Sequence, residues 1–87
     1  MKKSKVVIFG SSDHAKVIVD ILESNPDFEL VGFIDKLKSV GEEVLGYRII
    51  GDEQSLPNLM VEHDFHQGVV GIGDNFIRSK VVSLLSK

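Results

Sequence analysis

The run Val6-Val7-Ile8-Phe9, which closes on Gly10, is apolar at four successive positions and β-branched at three of them. A strand with one face in water alternates apolar and polar side chains, whereas a run without alternation needs cover on both faces. That requirement sets the architecture. Crossover helices are what cover both faces of a parallel sheet, so the chain should fold as alternating strands and helices. Two more runs share this character: Phe28 to Ile34, ending in Asp35, and Gln67 to Ile72, closed by Gly73-Asp74-Asn75.

Helical spacing fills the intervals. Ser11-Ser12-Asp13 supplies N-cap oxygens. Ala15, Ile18, Ile21 and Leu22 then recur as one helical face, with Val17 and Val19 widening the stripe. Asn25-Pro26-Asp27 ends that helix, because Pro26 has no N–H and disfavours helix at Asn25. Lys36 to Gly46 shows no steady period and reads as a loop. Tyr47-Arg48-Ile49-Ile50 reads as a short strand, at a sheet edge or beside the third core strand. Asp52 is a candidate cap for a short helix made irregular by Pro57, with Leu56, Leu59 and Met60 facing inward. Ile77, Val81, Leu84 and Leu85, at i, i+4, i+7 and i+8, predict a closing amphipathic helix. With right-handed crossovers these elements make a three-layer, Rossmann-like α/β domain: a short parallel sheet of core order 2-1-3 with helices on both faces. Residues 1–87 should form a single domain, since a chain of 87 residues has material for one core.

Composition narrows the function. Ten Lys and Arg stand against thirteen Asp and Glu, a net charge of −3. Such a chain lacks the excess of cations that sequence-blind nucleic-acid binding needs, so no nucleic-acid partner is expected. There is no cysteine, which excludes a disulfide framework, thiolate metal ligation and a thiol nucleophile. The apolar runs are strand-sized, so no membrane helix is expected. The basic start Met1-Lys2-Lys3-Ser4-Lys5 is followed by too short an apolar run for an export signal, and the expected compartment is the cytoplasm. His63 and His66 flank a polar turn and read as solvated, and no metal site is expected.

In a parallel sheet, ligands bind beyond the carboxyl ends of the strands. The three turns there, Gly10 to Ala15, Asp35-Lys36 and Gly73-Asp74-Asn75, are also the most polar, glycine-marked points of the chain. The first turn departs from the dinucleotide fingerprint G-x-G-x-x-G/A, reading G-x-S-x-x-A, with Ser12 where the second glycine belongs. Gly10 suits the tight turn, Ala15 suits helix–strand packing, and Asp35 lies near where a ribose-binding acid is expected; a plain strand-to-helix turn capped by Ser12 fits the same residues. Asp13 would stabilise the start of a helix but repel a phosphate there, and Lys16 or Lys36 could offset it. A neutral His14 would act as a hydrogen-bond donor. At the third turn Gly73 allows close backbone approach, Asp74 or Asn75 can cap the last helix, and Arg78, one turn inside, could reach an anion. A capped helix with a surface arginine is the alternative. No catalytic mechanism is specified by these residues alone.

Taken together, several stretches resemble a known family. Gly10-Ser11-Ser12-Asp13-His14-Ala15-Lys16 is similar to the G-x-G/S-G-H-A-K turn of sugar acyltransferases related to sialic acid O-acetyltransferase and to bacterial amino-sugar N-acetyltransferases. Val31-Gly32-Phe33-Ile34-Asp35, Val44 to Gly51, and Val70-Gly71-Ile72-Gly73-Asp74-Asn75 with Arg78 agree in order and spacing. The resemblance implies an N-terminal Rossmann-like domain that binds a UDP-linked amino sugar or a sialic-acid-type sugar. It also implies a separate left-handed β-helix of hexapeptide repeats that binds acetyl-CoA, forms a homotrimer and carries the catalytic base. No hexapeptide repeat is found in residues 1–87, so this chain is expected to bind substrate without turning it over, with no catalytic residue and no cofactor of its own. The binding residues the resemblance implies are Gly10, Ser11, Ser12, Asp35, Gly73 and Asn75, with Asp13, His14, Lys36, Asp74 and Arg78 beside them. Asp35 would accept from a hydroxyl or base N–H, and the Ser12 and Asp13 amides would face phosphate. Asp13 stands where glycine is usual before the histidine, and Lys36 where a second Asp is common. Two other classes stay open: an NAD- or CoA-type nucleotide-binding regulatory module, and an interaction domain without a ligand.

Overall fold

The computed structural model describes residues 3–11, 15–72 and 78–83, with side chains as far as Val69. Its elements are β1 (Ser4–Phe9), α1 (Ala15–Glu23), β2 (Phe28–Ile34), β3 (Glu43–Val44), β4 (Tyr47–Gly51), a 3₁₀ turn (Glu53–Ser55), α2 (Leu56–His63), β5 (Gln67–Ile72) and β6 (Arg78–Ser83). The described strands form one six-stranded sheet in the order β3-β4-β2-β1-β5-β6. β1 lies between β2 and β5 and runs parallel to both, from Val6↔Gln67 to Phe9↔Val70 on the β5 side. This is an α/β, Rossmann-like fold.

The non-alternating apolar run explains the layering. Val6, Val7 and Ile8 are fully buried. Val6 and Ile8 point to one side of the sheet, where they pack with Ala15, Ile18, Val19 and Leu22 of α1. Val7 points to the other, where it meets Ile34, Leu59 of α2 and Phe65. Successive strand residues face opposite ways, so each helix takes every second side chain. The α1 stripe is narrower than its spacing suggests: Ile21 and Val17 lie on the outer side, 49% and 41% exposed. α1 ends at Glu23, where the Asn25 side chain accepts from the Asp27 amide at 2.9 Å and turns the chain into β2. α2 tolerates Pro57 because the proline sits in the first turn, where its missing N–H has no intrahelical partner to lose. Asp52 caps the preceding 3₁₀ turn by accepting from the Ser55 amide and hydroxyl, both at 3.1 Å.

The sheet is mixed rather than parallel throughout, and both departures lie at its edges. β3 and β4 form an antiparallel hairpin, Val44↔Tyr47, through Leu45 and Gly46, both at positive φ. That conformation matches the two-residue hairpin turn that follows strand twist. The segment expected to be all loop thus holds a strand. β4 pairs with β2, not with the third core strand, and β3 covers its outer side. At the other edge, Arg78–Ser83 is an antiparallel strand on β5, from Gln67↔Ser83 to Ile72↔Arg78, where a helix was expected. The adjacent β-branched Val81 and Val82 favour a strand, and pairing here satisfies the backbone groups of β5 that would otherwise form an open edge. Leu84 and Leu85, which completed the helical pattern, lie outside the described residues.

Among the described glycines, Gly51 and Gly68 lie close to the Leu59 and Phe9 side chains, but only at Gly32 is the close neighbour backbone. A Cβ on Gly32 would stand 2.7 Å from the Arg48 carbonyl oxygen and 3.0 Å from Ile50 Cγ2, so β2 and β4 pair at this point only with glycine.

Candidate functional site

The carboxyl ends of β1, β2 and β4 are tied together by backbone. The Gly10 amide donates to Ile34 O at 2.8 Å, and the Asp35 amide donates to Gly51 O at 2.9 Å. Gly10 makes the first turn at φ +87°, a left-handed conformation that residues with a Cβ adopt only under strain, although open space surrounds it. The turn delivers Ser11 into a buried position, 9% exposed, against the end of β2.

There Ser11 meets Asp35. Its hydroxyl donates to Asp35 Oδ2 at 2.6 Å and its amide to the same oxygen at 3.1 Å. The other oxygen, Oδ1, accepts from the Leu37 amide at 2.8 Å. The Ser11 hydroxyl, followed by the Leu37 amide, holds the Asp35 carboxyl below the usual carboxylate range; partial burial opposes this less strongly. Asp35 is therefore a charged clasp between the loops after β1 and β2.

A cleft of about 370 Å³ opens over this clasp. Phe9, Ile34 and Leu37 give it apolar wall; Gly10, Ser11 and Asp35 line it from the strand ends; Lys36, Lys38 and Glu53 bring charge. Leu37 is 87% exposed, an apolar side chain held out in water at the rim. Among the described residues, neither Lys36 nor Lys38 has an ion-pair partner. The volume sits at the lower end of the range for small-molecule sites, about 300–1,000 Å³. A cleft of the same volume lies at the opposite, amino edge of the strands, lined by Lys3, Glu23, Glu29 and Tyr47 among others. It has no turn of the Gly10 kind, and its Tyr47 hydroxyl is already donated to Glu23 at 2.6 Å. The carboxyl edge is also where parallel sheets bind their ligands.

Of the residues singled out in the sequence, Gly10, Ser11, Asp35 and Lys36 meet at this one cleft. Ser12, Asp13 and His14, and Gly73, Asp74 and Asn75, lie outside the described residues. β5 runs parallel to β1, so its carboxyl end reaches the same edge. Arg78 opens β6 opposite Ile72, not a turn inside a helix as expected. The sequence reading missed Phe9, Ile34, Leu37, Lys38 and Glu53. Phe9 and Ile34 count in the sequence only as core; Leu37 and Lys38 belong to the segment without a steady period, and Glu53 stands ahead of the apolar stripe of the short helix after Asp52. For Glu53 the available signal was its place directly after the capping residue Asp52, on a turn following a strand. Among the described residues, no cluster of three or more His, Cys, Asp or Glu is placed to hold a metal ion, and no helix is long and apolar enough to cross a membrane.

No curated protein matches the chain. Among solved structures, UDP-D-quinovosamine 4-dehydrogenase from Vibrio fischeri is similar at a TM-score of 0.66 and 23% sequence identity, over 79% of this chain and 57% of that one. At that identity the likeness is one of fold, and the chain spans little more than half of that protein. The sequence evidence is stronger: the family model of the PglD N-terminal domain matches residues 5–85, so the chain belongs to the PglD N-terminal domain family.

Proposed function

We propose that this domain binds the sugar substrate of an acetyl-CoA-dependent sugar acyltransferase, and that the substrate is a UDP-linked amino sugar or a sialic-acid-type sugar. The observation that carries the reading is the cleft at the carboxyl edge, where Gly10, Ser11, Asp35 and Lys36 come together. Those residues belong to the stretches on which the resemblance to sugar acyltransferases rests, and the family match covers residues 5–85. The similar solved structure is, by its name, an enzyme of a UDP-sugar.

The chemistry of the cleft suits such a ligand. Two lysines at the rim offer charge to a diphosphate or a sugar carboxylate, and the apolar surface of Phe9 and Leu37 suits a base or a sugar face. Acyl transfer from acetyl-CoA belongs, in this reading, to a separate domain that also trimerises, and the present chain contributes substrate binding alone.

The test is chemical-shift perturbation of the ¹⁵N-labelled chain with UDP, CMP, NAD and acetyl-CoA in turn. UDP or CMP should move the amides of Ser11, Asp35 and Lys36 and leave those of the amino-edge cleft unmoved. Shifts with NAD or acetyl-CoA alone would make the domain a cofactor-binding regulatory module, and no shift with any of the four would make it an interaction domain.

A further inference from the structure

Three loops frame the cleft, and they bring two carboxylates to it. The two are in opposite states. A carboxylate has about four lone-pair positions. Asp35 has filled three of them from within the chain, with the Ser11 hydroxyl at 2.6 Å, the Ser11 amide at 3.1 Å and the Leu37 amide at 2.8 Å. Glu53 lines the same cleft from the turn after β4, and its side chain is exposed. Among the described residues that side chain accepts no hydrogen bond and forms no ion pair.

The backbone beneath Glu53 is fixed even though its carboxylate is unengaged. Two residues earlier, Gly51 O accepts from the Asp35 amide at 2.9 Å. One residue earlier, Asp52 caps the turn through the Ser55 amide and hydroxyl. An unoccupied acceptor on a pinned turn, lining one cleft with two lysines and ion-paired to neither, is an arrangement that keeps anion-binding and donor-reading groups apart. The clasp has a different task. It joins the loop after β1 to the loop after β2, and its oxygens are turned toward those loops' own N–H and O–H groups.

We infer that Glu53 is the specificity residue that reads the hydroxyl or N–H donors of the bound nucleotide, that Lys36 and Lys38 receive its anionic group, and that Asp35 is a positioning residue. This rests on the sugar-nucleotide reading above. A ligand that fits must carry both features, a negative group and, a few bonds away, a neutral donor. Uridine and UDP separate the two, since they share the donors and differ in the diphosphate.

The experiment is calorimetric titration of the full 87-residue chain with UDP and with uridine, alongside ¹⁵N spectra of the ligand-free proteins. Glu53→Gln should weaken UDP and uridine alike, by about tenfold for one charged hydrogen bond, with the melting temperature unchanged. The double variant Lys36→Met, Lys38→Met should weaken UDP and leave uridine where it was. Asp35→Asn should move the Ser11 and Leu37 amides and lower the melting temperature before any ligand is added. UDP affinity that survives Glu53→Gln overturns the assignment while leaving the sugar-nucleotide reading intact. So does an Asp35→Asn variant that loses affinity with its ligand-free spectrum and melting temperature unmoved, because Asp35 would then touch the ligand. A native chain that binds neither UDP nor CMP removes the sugar-nucleotide reading, and this assignment with it.

Discussion

Replacing Ser11 with alanine cuts the clasp at its shortest bond. The hydroxyl donates to Asp35 Oδ2 at 2.6 Å from a buried position, so little water can take its place. A hydrogen bond to a charged group contributes about 1.5–3 kcal/mol. Asp35 is half-buried, and partial hydration of its carboxylate lowers the expected cost of Ser11→Ala to about 1 kcal/mol. In a domain of this length that is a fall in melting temperature of about 4–8 °C. The pH dependence carries the sharper test. The folded carboxyl is held below its unfolded value, chiefly by this hydroxyl. Its contribution is therefore present above the unfolded value, about 3.9, and is lost as pH falls through the lower folded value. Ser11→Ala should destabilise fully at pH 7 and progressively less below about pH 4. Urea melts of the native chain and the variant at pH 7, 5, 4 and 3, followed by circular dichroism, measure this directly. A difference that stays constant across the series would refute the reasoning, since it would show lost packing and not a lost charge-assisted bond. So would equal stability at pH 7.

Three other outcomes test the frame around the clasp. Gly32→Ala should cost about 1–3 kcal/mol in equilibrium unfolding, because its Cβ would meet the Arg48 carbonyl oxygen at 2.7 Å and backbone in mid-sheet has little room to withdraw. Phe65→Ala, at a side chain 1% exposed between α2 and the sheet, should cost about 3–5 kcal/mol, and Phe65→Leu much less; similar costs for both would mean the ring is not packed. Tyr47 is the single tyrosine and there is no tryptophan, so absorbance near the tyrosinate band reads it alone. Its hydroxyl, hydrogen-bonded to Glu23, should ionise above the ordinary value of 10, and Glu23→Gln should bring it back down. The stability this pair contributes is present below about pH 10 and is lost as pH rises through the folded value.

How far the sequence discloses this structure depends on where each residue's constraint comes from. Val6 to Phe9 announced cover on both faces because the constraint is local: four apolar positions in a row have no face to offer water. Asp52 announced its cap for the same reason. The hairpin at Val44–Tyr47 was hidden because its turn is Leu45-Gly46, and leucine at φ 55° is not the residue that marks such a turn. β6 was hidden by a pattern that fits two periods: Val81 recurs at helical spacing from Ile77, yet Val81 and Val82 are also a β-branched pair beside a strand that needs a partner. Phe65 was invisible because it stands alone between Asp64 and His66, and only the packing of α2 shows that it fills the core.

The same distinction separates Asp35 from Glu53. Asp35 ends an apolar strand, and a single acid at that point stands out in any reading of the chain. Prominence of that kind says that the residue has a fixed place, and the structure shows what fixes it: three donors, of which Ser11 lies 24 residues away. A carboxylate whose surroundings are so fully arranged by its own chain has correspondingly little left with which to select a ligand. Selectivity needs a group whose partner is supplied from outside. β4 lies beside β2, which brings the turn after β4 over the same cleft as the loops after β1 and β2. The pairing of β4 with β2, which the sequence left undecided, is therefore what brings Glu53 to the site, and it makes the register of that pair, held by Gly32 against Arg48, a condition for the cleft to have its third wall.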